Sequence, residues 1–454
     1  MELSELLERQ RAFFAAGTTR PLKFRMEALE RLGTALSDWE DELARALKED
    51  LNKDKMESYM CETGLVREEI RFHRRHLSKW VRDRRVPTPL AQFPSRSFRS
   101  PEPYGTVLIM SPWNYPVQLC LSPLVGAISA GNCAVVKPSA YAPAVSRTLA
   151  RLLNSIFPED YIAVVEGGRE ENRALLEQQF DYIFFTGSPA VGRTVMEAAA
   201  RHLTPVTLEL GGKSPVIVDE TADVELAARR IAFGKVLNAG QTCVAPDYLL
   251  IHRDRKERFV QAYTRALEQF FPGGDDSQLP RIINEKHYRR LKGLLEGERV
   301  LLGGRTDDGR LTVEPTLLDE VSPESPIMQE EIFGPVLPIL TFEALDEAIR
   351  FISSRPKPLA LYLFTSDREA ELQVMNRCSF GGGCINDTII HLATPHMPFG
   401  GVGASGMGSY HGRQSFETFT HFRSIVKKAA WLDLPMRYHP YTADKLRMVR
   451  RFLK

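Results

Sequence analysis

The amino-acid sequence predicts an α/β fold divided into two domains, and three observations support this prediction. The chain has 454 residues, more than one hydrophobic core usually organises. From Tyr104 onward, short apolar and β-branched runs alternate with helical segments: YGTVLIM, NCAVVKP, DYIAVVEG and DYIFFTG. After about residue 210 the alternation begins again. Because continuously apolar strands must be buried on both faces, we expect parallel sheets covered by helices.

The segments between these runs predict the helices of both domains. In the first domain, APAVSRTLARLLNSIF and AVGRTVMEAAARH have helical character. In the second, SPVIVDE precedes a helix from Val224 to about Leu237, and PDYLLIH precedes a helix from Lys256 to Phe271. Parallel sheets of this kind bind ligands beyond the carboxyl ends of their strands, so the first domain has the architecture of a nucleotide-binding unit.

The segments outside this alternation differ in character. Apolar residues from Leu22 to Leu47 recur at steps of three, four or seven, so the region to about Trp80 predicts helices that pack on another element. Residues 81–100 are rich in Arg and Pro, and they predict either an exposed arm or hairpin that could reach a second subunit, or an anion-binding strip. Near the end, FETFTHFRSIVKK alternates as a strand.

Composition excludes several classes of protein. With 59 basic and 58 acidic residues the net charge is +1, which indicates neither nucleic acid nor an anionic membrane as a partner. No stretch approaches the roughly 18 consecutive apolar residues of a membrane span, and the terminal KLRMVRRFLK is too polar to anchor the chain. The six cysteines lack CxxC spacing, which argues against zinc and disulfides. We therefore expect a cytoplasmic protein without a membrane anchor.

A glycine-containing turn in FFTGSPAVGR is the first candidate for ligand binding. A strand ends near Thr186, and Gly187, Ser188 and Gly192 open a helix whose N-terminus would suit a phosphate. A tight turn needs glycine in any case, so phosphate binding and a purely structural role stay open here. Lys137, after an earlier strand of the same sheet, could reach ribose hydroxyls or a phosphate, or it could be solvated surface.

Two polar residues follow apolar strands where chemistry could use them. Glu209 lies at the end of PVTLEL, where a carboxylate is expensive to bury; it could be a general base or a structural acceptor for backbone N–H groups. Asn114, in SPWNYP, could donate its amide to a developing oxyanion or stabilise a turn.

Cys243, in NAGQTCVAPD, is the candidate nucleophile, although a lone cysteine is more often an inert apolar core residue. In EEIFGPV, Glu331 and Phe333 could supply a ribose-binding carboxylate and an apolar wall, or form an ordinary loop. His391, His396, His411 and His421 have no spacing typical of a ligand pair, so no metal site is expected.

Together these motifs resemble the NAD(P)-dependent aldehyde dehydrogenase superfamily. FFTGSPAVG, LELGGKSP, GQTCVAP, EEIFGPV and PFGGVGASG occur in the order and spacing of that family, and SPWNYP and KPS extend the resemblance over about residues 100–425. CVAPDY, RPKPLALY, CINDTIIH and GMGSYHG look like the class 3 branch, which acts on fatty and aromatic aldehydes.

The resemblance implies a domain plan and an oligomeric state. Residues 1–80 and 101–208 would form a Rossmann-like cofactor domain, and residues 209–400 the catalytic domain. Residues 81–100 and about 415–430 would form a small β oligomerisation arm, followed by a tail at 431–454. The branch implies a homodimer.

The resemblance also assigns roles to residues. Cys243 would attack the aldehyde carbonyl, hydride would pass to NAD or NADP, and water activated by Glu209 would hydrolyse the resulting thioester. The oxyanion would be stabilised by Asn114 and the Cys243 N–H. The cofactor would contact Gly187, Ser188 and Gly192 near the pyrophosphate, Lys137 and Glu331 at ribose, and Phe333 beside the nicotinamide, while Lys235 would tune the local potential.

One position departs from the family pattern. Relatives often carry an acidic residue where this chain has Ala140, and a carboxylate there would repel a 2′-phosphate. We therefore expect NADP to be tolerated as well as NAD. Two alternatives remain, a non-catalytic structural or binding protein on the same fold and a thioester hydrolase without redox chemistry. Retention of both Cys243 and Glu209 argues against the first of them.

Overall fold

The computed structural model describes residues 2–452. Its strands are β1 (Arg84–Val86), β2 (Ser95–Pro103), β3 (Thr106–Met110), β4 (Cys133–Lys137), β5 (Ile162–Val164), β6 (Tyr182–Gly187), β7 (Val206–Leu210), β8 (Pro215–Val218), β9 (Tyr248–His252), β10 (Arg299–Leu302), β11 (Thr306–Asp307), β12 (Thr312–Val313), β13 (Thr316–Asp319), β14 (Val336–Phe342), β15 (Ala360–Phe364), β16 (Gly382–Ile385), β17 (Gly406–Met407) and β18 (Thr420–Lys428).

The helices form the layers around these strands. They are α1 (Leu3–Ala15), α2 (Leu22–Asp38), α3 (Glu40–Leu51), α4 (Lys55–Ser58), α5 (Gly64–Trp80), α6 (Gln118–Ala130), α7 (Pro143–Ile156), α8 (Arg169–Leu176), α9 (Pro189–Ala200), α10 (Val224–Val236), α11 (Lys256–Phe270), α12 (Glu285–Leu295), α13 (Pro326–Gln329), α14 (Leu345–Ser353), α15 (Arg368–Arg377), α16 (Arg413–Thr418) and α17 (Ala443–Phe452).

The first sheet has six strands in the order β17-β7-β6-β3-β4-β5. All neighbours are parallel except the short β17, which pairs antiparallel with β7 at the edge. Every residue of β3 and β4 is buried, as expected for strands covered on both faces. Helices α2 and α5 pack on α6, and α3 packs on α7, so the N-terminal helices belong to the layers around this sheet.

The second sheet has seven strands in the order β10-β13-β14-β9-β8-β15-β16. It is parallel apart from β10 at one edge. The α/β fold with parallel sheets is thus confirmed. Because β7 and β8 follow one another in sequence but belong to different sheets, residues 211–214 carry the chain from one sheet to the other.

A third, antiparallel sheet of order β1-β2-β18 contains the Arg/Pro-rich segment. The prediction that FETFTHFRSIVKK is a strand throughout was wrong at its start. Helix α16 extends to Thr418 because Phe416 and Phe419 pack into the core around α6, and the strand begins only at Thr420. In residues 2–452 no helix is both long and apolar enough to cross a bilayer.

Candidate active site

A left-handed turn precedes Cys243. After α10 the chain passes through Asn238, Ala239 and Gly240, with φ of 50°, 51° and 70°. Non-glycine residues rarely adopt this conformation, and such strain clusters at functional sites. Gly240 is required by space as well, because a β-carbon there would lie 2.5 Å from the carbonyl carbon of Gly334. The residue after the turn, Gln241, is hydrogen-bonded to Asn114, which follows β3 of the first sheet.

Gln241 fixes this turn with both ends of its amide. Its Nε2 donates to the backbone oxygens of Asn238 (3.1 Å) and Arg281 (3.0 Å), and its Oε1 accepts from the N–H of Ile283 (3.0 Å). All three bonds lie in or next to the core. Gln241 therefore holds the loop that carries Cys243 in a single position.

Cys243 is partly exposed and lines a cavity of about 150 Å³. The backbone N–H groups of Cys243 and Val244 face its sulfur. Burial, together with the nearby charges of Glu331 and Glu209, raises the pKa of the thiol to about 12. The thiol is therefore held within reach of a bound molecule, protonated in the absence of any further positive charge.

Asn114 lies directly on the Cys243 loop. Its Nδ2 donates to the backbone oxygen of Gln241 (3.0 Å), and its own backbone oxygen accepts from Nδ2 of Asn238 (2.8 Å). An amide group has two N–H donors, so one remains for another acceptor. The neighbouring Tyr115 places its hydroxyl 2.6 Å from Oγ1 of Thr242.

Glu209 is only 3 % exposed, and neither of its carboxylate oxygens has a hydrogen-bond partner among the described residues. Burial raises its pKa well above the ordinary value of a glutamate. Its charge influences the pKa values of Cys243 and Tyr410, so these three groups are neighbours. Cys243 and Tyr410 both line the cavity, so Glu209, near the end of β7, lies close to it without being one of its lining residues. Nothing in its surroundings supports the structural-acceptor alternative.

The loop with Glu331 and Phe333 faces the same region. Glu331 accepts a hydrogen bond from the N–H of Gly212, its Oε1 has no partner in the described structure, and burial raises its pKa to about 8. Phe333 has a φ of 51°, and its ring lies edge-on to Trp113 with centroids 5.3 Å apart.

Lys213 ties that loop to the second sheet. It forms an ion pair with Asp247, and its Nζ donates to the backbone oxygens of Ile327 and Glu330, each at 2.8 Å. Nearby, Lys235 is 1 % exposed, and burial lowers its pKa to about 8. The charges that act on Lys235 are those of Asp247, Lys213 and Glu331.

An open groove of about 910 Å³ runs along the carboxyl ends of β3, β4 and β6. Gly187 and Ser188 line it, and Ser188 caps α9 by accepting from the N–H of Val191 at 3.4 Å. Lys137 lines it as well; its Nζ donates to the oxygens of Pro138 (2.8 Å) and Gly167 (2.6 Å), and burial lowers its pKa. The first sheet thus presents a helix N-terminus and a lysine to one elongated groove.

Gly192 is not part of the groove wall. A β-carbon there would lie 2.6 Å from Cδ2 of Leu210, so this glycine lets α9 pack closely on β7. Its predicted contact with a cofactor stays a prediction, and close helix–strand packing is sufficient reason for a glycine.

The cavity wall is mostly apolar and was not predicted. Besides Cys243 it includes Leu119, Phe233, Phe399, Tyr410 and His411. These residues come from helices and loops scattered between positions 60 and 411, so no local pattern marks them. No group of three or more His, Cys, Asp or Glu side chains in residues 2–452 could hold a metal ion.

Comparison with known proteins identifies the family. Residues 2–425 match the model of the aldehyde dehydrogenase family. The chain is 51 % identical to 4,4′-diaponeurosporen-aldehyde dehydrogenase of Staphylococcus aureus, over 98 % of this chain and 97 % of that protein. It is 47 % identical to human aldehyde dehydrogenase family 3 member B1, over 98 % and 96 % of the two chains.

The fold agrees with a solved structure of this type. The substrate-bound state of Staphylococcus aureus AldH superposes with a TM-score of 0.98 at 49 % identity, covering 100 % of both chains. The resemblance seen in the sequence is therefore confirmed, including its similarity to the class 3 branch. This chain belongs to the aldehyde dehydrogenase family and is an oxidoreductase that converts aldehydes to carboxylates.

Proposed function

We propose that Cys243 is the nucleophile of this reaction, with Glu209 as general base and Asn114 as oxyanion donor. The observation that carries the proposal is a partly exposed thiol at an apolar cavity, together with a buried, unpartnered carboxylate whose charge raises the pKa of that thiol. A carboxylate left without partners is costly unless it has a reactive role.

The residues of the chain account for the chemical steps as follows. The Cys243 sulfur bonds to the aldehyde carbon, and the carbonyl oxygen becomes an oxyanion held by the free Asn114 N–H and the Cys243 N–H. Loss of one such donor costs about 3 kcal/mol in related acyl chemistry. Collapse of this oxyanion to a thioester requires the loss of a hydride, for which bound NAD or NADP would be the acceptor. Glu209 then removes a proton from water, which attacks the thioester and releases the carboxylate product and the free thiol.

The groove fits a nicotinamide dinucleotide. Its volume of about 910 Å³ is at the upper end for ligand sites. The N-terminus of α9 with Gly187, Ser188 and, by prediction, Gly192 would hold the pyrophosphate. Lys137 and the unpartnered Oε1 of Glu331 would hold ribose hydroxyls, and Phe333 would flank the nicotinamide. When bound, NAD or NADP supplies the hydride acceptor.

NADP would be accepted as well as NAD because Ala140 places no carboxylate in this groove. The same wall carries Arg169, Arg173 and Arg201, and a 2′-phosphate would find their positive charge there. Glu177 and Glu197 also line it, so the preference between the cofactors is moderate rather than absolute.

The substrate would be an apolar aldehyde. An apolar cavity of about 150 Å³ is large enough for a benzene ring, which suits an aromatic aldehyde or the first carbons of an aliphatic chain. Met60, Phe233 and Ile390 line the cavity and are also exposed, so a longer chain could extend past them. Medium- or long-chain aliphatic and aromatic aldehydes are the class that fits.

The assembly would be a homodimer. The arm predicted at 81–100 and about 415–430 corresponds to strands β1, β2 and β18, which carry exposed apolar side chains at Val86 and Val426. We retain the division into a cofactor domain of residues 1–80 and 101–208 and a catalytic domain of 209–400, with a tail at 431–454. The six cysteines are all free thiols, which favours the cytoplasm.

Formation of NADH or NADPH with hexanal and benzaldehyde tests the proposal, with the wild type compared against Cys243→Ala. We expect the wild type to reduce either cofactor and the variant to bind cofactor without reducing it. If the variant keeps more than about a hundredth of the wild-type rate, Cys243 is not the nucleophile. Thioester hydrolysis by a wild type that reduces no cofactor would favour the hydrolase alternative.

A further inference from the structure

A buried ion pair contacts the segment that contains Asn114, one of the residues proposed to hold the oxyanion. The side chains of Lys53 and Glu62 are completely buried, and Nζ of Lys53 lies 2.7 Å from Oε1 of Glu62. Glu62 belongs to a single π-helical turn, Tyr59–Thr63, inserted between α4 and α5. Such turns are rare and often occur at functional sites. A buried pair is weak evidence for stability, so another role has to be considered.

Both members of the pair contact the segment that starts at Asn114. Lys53 Nζ donates to the backbone oxygen of Asn114 at 3.1 Å, and its ammonium lies 4.4 Å from the centre of the Tyr115 ring. The second oxygen of Glu62 accepts from the N–H groups of Val117 (3.0 Å) and of Gln118, the first residue of α6 (2.9 Å). The pair therefore holds residues 114–118 from both ends.

This segment is in turn bonded to the Cys243 loop. The Asn114 oxygen that Lys53 contacts also accepts from Asn238, while the Asn114 side chain donates to Gln241. The Tyr115 side chain, whose ring Lys53 contacts, bonds through its hydroxyl to Thr242, the residue before Cys243. A shift of the ion pair would move the Asn114 amide relative to the Cys243 sulfur.

A second carboxylate from the same N-terminal region holds the other side of the loop. Glu57, in α4, accepts from the backbone N–H of Asn238 at 2.8 Å, at the start of the left-handed turn. The helices before residue 64 thus contact both halves of the proposed oxyanion site, Asn114 and the turn before Cys243.

We propose that Lys53 and Glu62 are positioning residues, which set the distance between the Asn114 amide and the Cys243 sulfur and so determine how well the oxyanion is stabilised. This inference rests on the proposed roles of Asn114 and Cys243. It assigns to the N-terminal helices a part in the rate of carbonyl attack rather than in packing alone. A misplacement of about 1 Å is enough to lower a rate about a hundredfold.

The double variant Lys53→Met/Glu62→Gln tests the proposal in the full chain. It removes both charges at once, which avoids an unpaired buried charge, and the amide oxygen introduced at position 62 can still accept from a backbone N–H of the 117–118 turn. The matched control is Lys256→Met/Asp319→Asn, which removes a partly buried ion pair between α11 and β13, away from the proposed site. Melting temperature and cofactor Kd verify that each variant is folded.

Three rates separate positioning from a general loss of structure. Single-turnover oxidation of hexanal and hydrolysis of 4-nitrophenyl acetate both form an oxyanion, so each should fall about 10- to 100-fold in the double variant. Alkylation of Cys243 by iodoacetamide forms no oxyanion, so its rate and the cofactor Kd should stay within about threefold. The control variant should leave all of these within about threefold of the wild type.

Combination with Asn114→Ala shows whether the pair acts through Asn114. In that background the double variant should lower the oxidation rate by less than about threefold, because the donor that it positions is already gone. Additive losses would overturn the inference, as would unchanged oxidation by the double variant or an equal loss of oxidation, alkylation and cofactor binding. If Asn114→Ala alone is as active as the wild type, the proposed function of Asn114 fails first.

Discussion

Gly211 and Glu331 meet at the junction of the two sheets, and a β-carbon on Gly211 would lie 2.8 Å from the carboxyl carbon of Glu331. The next residue, Gly212, donates its backbone N–H to the same carboxylate. Gly211 therefore leaves the space that the Glu331 carboxylate occupies, and Gly212 binds that carboxylate through its N–H. In this way they connect the Glu209 strand to the groove where we place the cofactor.

Gly211→Ala should weaken cofactor binding. The new methyl group must displace Glu331, and such crowding costs about 1–3 kcal/mol, so Kd for NAD should rise about 5- to 150-fold. Titration of cofactor fluorescence measures this change. Gly293→Ala is the control, because nothing lies within 4 Å of that position in α12. The Gly293→Ala control should stabilise its exposed helix by about 0.5–1 kcal/mol and leave Kd for NAD unchanged. An unchanged Kd in Gly211→Ala would contradict the prediction.

Glu209→Gln should separate oxidation from hydrolysis. Because the amide cannot take a proton from water, the thioester on Cys243 should accumulate. We expect a rapid burst of about one equivalent of NADH, followed by turnover reduced about 10²- to 10⁴-fold. Stopped-flow absorbance measures both phases. A steady-state rate within threefold of the wild type, or loss of the burst itself, would be inconsistent with the assigned role.

Alkylation of Cys243 should increase steeply with pH when no cofactor is present. Burial raises the pKa of this thiol to about 12, so the reactive thiolate should grow about tenfold per pH unit between pH 7 and pH 10. Addition of NAD should shift the profile to lower pH, since a positive charge favours the thiolate. Iodoacetamide rates, corrected with Cys243→Ser for the other five thiols, give the profile. An alkylation rate that reaches a plateau below pH 9 in the cofactor-free protein would refute this prediction.

Ala140→Glu should restrict the enzyme to NAD. A carboxylate at this exposed position in the groove would repel a 2′-phosphate and lower kcat/KM for NADP about 100-fold, with NAD within about threefold. Ala140→Gln has a similar size without the charge, and it should have little effect on either cofactor. A wild type that already disfavours NADP by more than about a thousandfold, or about 4 kcal/mol, would contradict the role given to Ala140.

Val426→Lys should dissociate the proposed dimer. Val426 is 52 % exposed on β18, an edge strand of the third sheet, where a charge would oppose pairing with a second subunit. Sedimentation velocity at micromolar concentration should show a dimer for the wild type and a monomer for the variant. Leu372→Lys changes a residue of similar exposure, 48 %, on α15, and it should leave the dimer intact. A monomeric wild type would remove the basis of the proposal.

The sequence was sufficient for the central strands of the first sheet, and it named the candidate residues that follow them. Continuous apolar runs predicted β3, β4 and β6 because their pattern depends only on burial of both faces. Prediction from the sequence failed where tertiary contacts override a local pattern. The start of FETFTHFRSIVKK alternates like a strand, yet Phe416 and Phe419 are buried in the core and the segment to Thr418 is helical.

Gly192 shows a different limit. Its place after a strand and at the start of a helix predicts a phosphate contact, which stays a prediction, while the structure shows a packing role against Leu210. Sequence position reports that a glycine is needed there, but not which neighbour requires it. That neighbour comes from another strand, and only the folded chain identifies it.

The sequence by itself determined the family, the alternation of strands and helices, and the identity of Cys243, Glu209 and Asn114 as candidates, because motifs and periodicity are local properties. Only the tertiary structure decided that Glu209 has no partner among the described residues, that burial raises the pKa of Cys243, and that Lys53 and Glu62 lie beneath Asn114. These are properties of burial and of contacts between residues far apart in the chain, and a side chain acquires them only when distant segments pack around it.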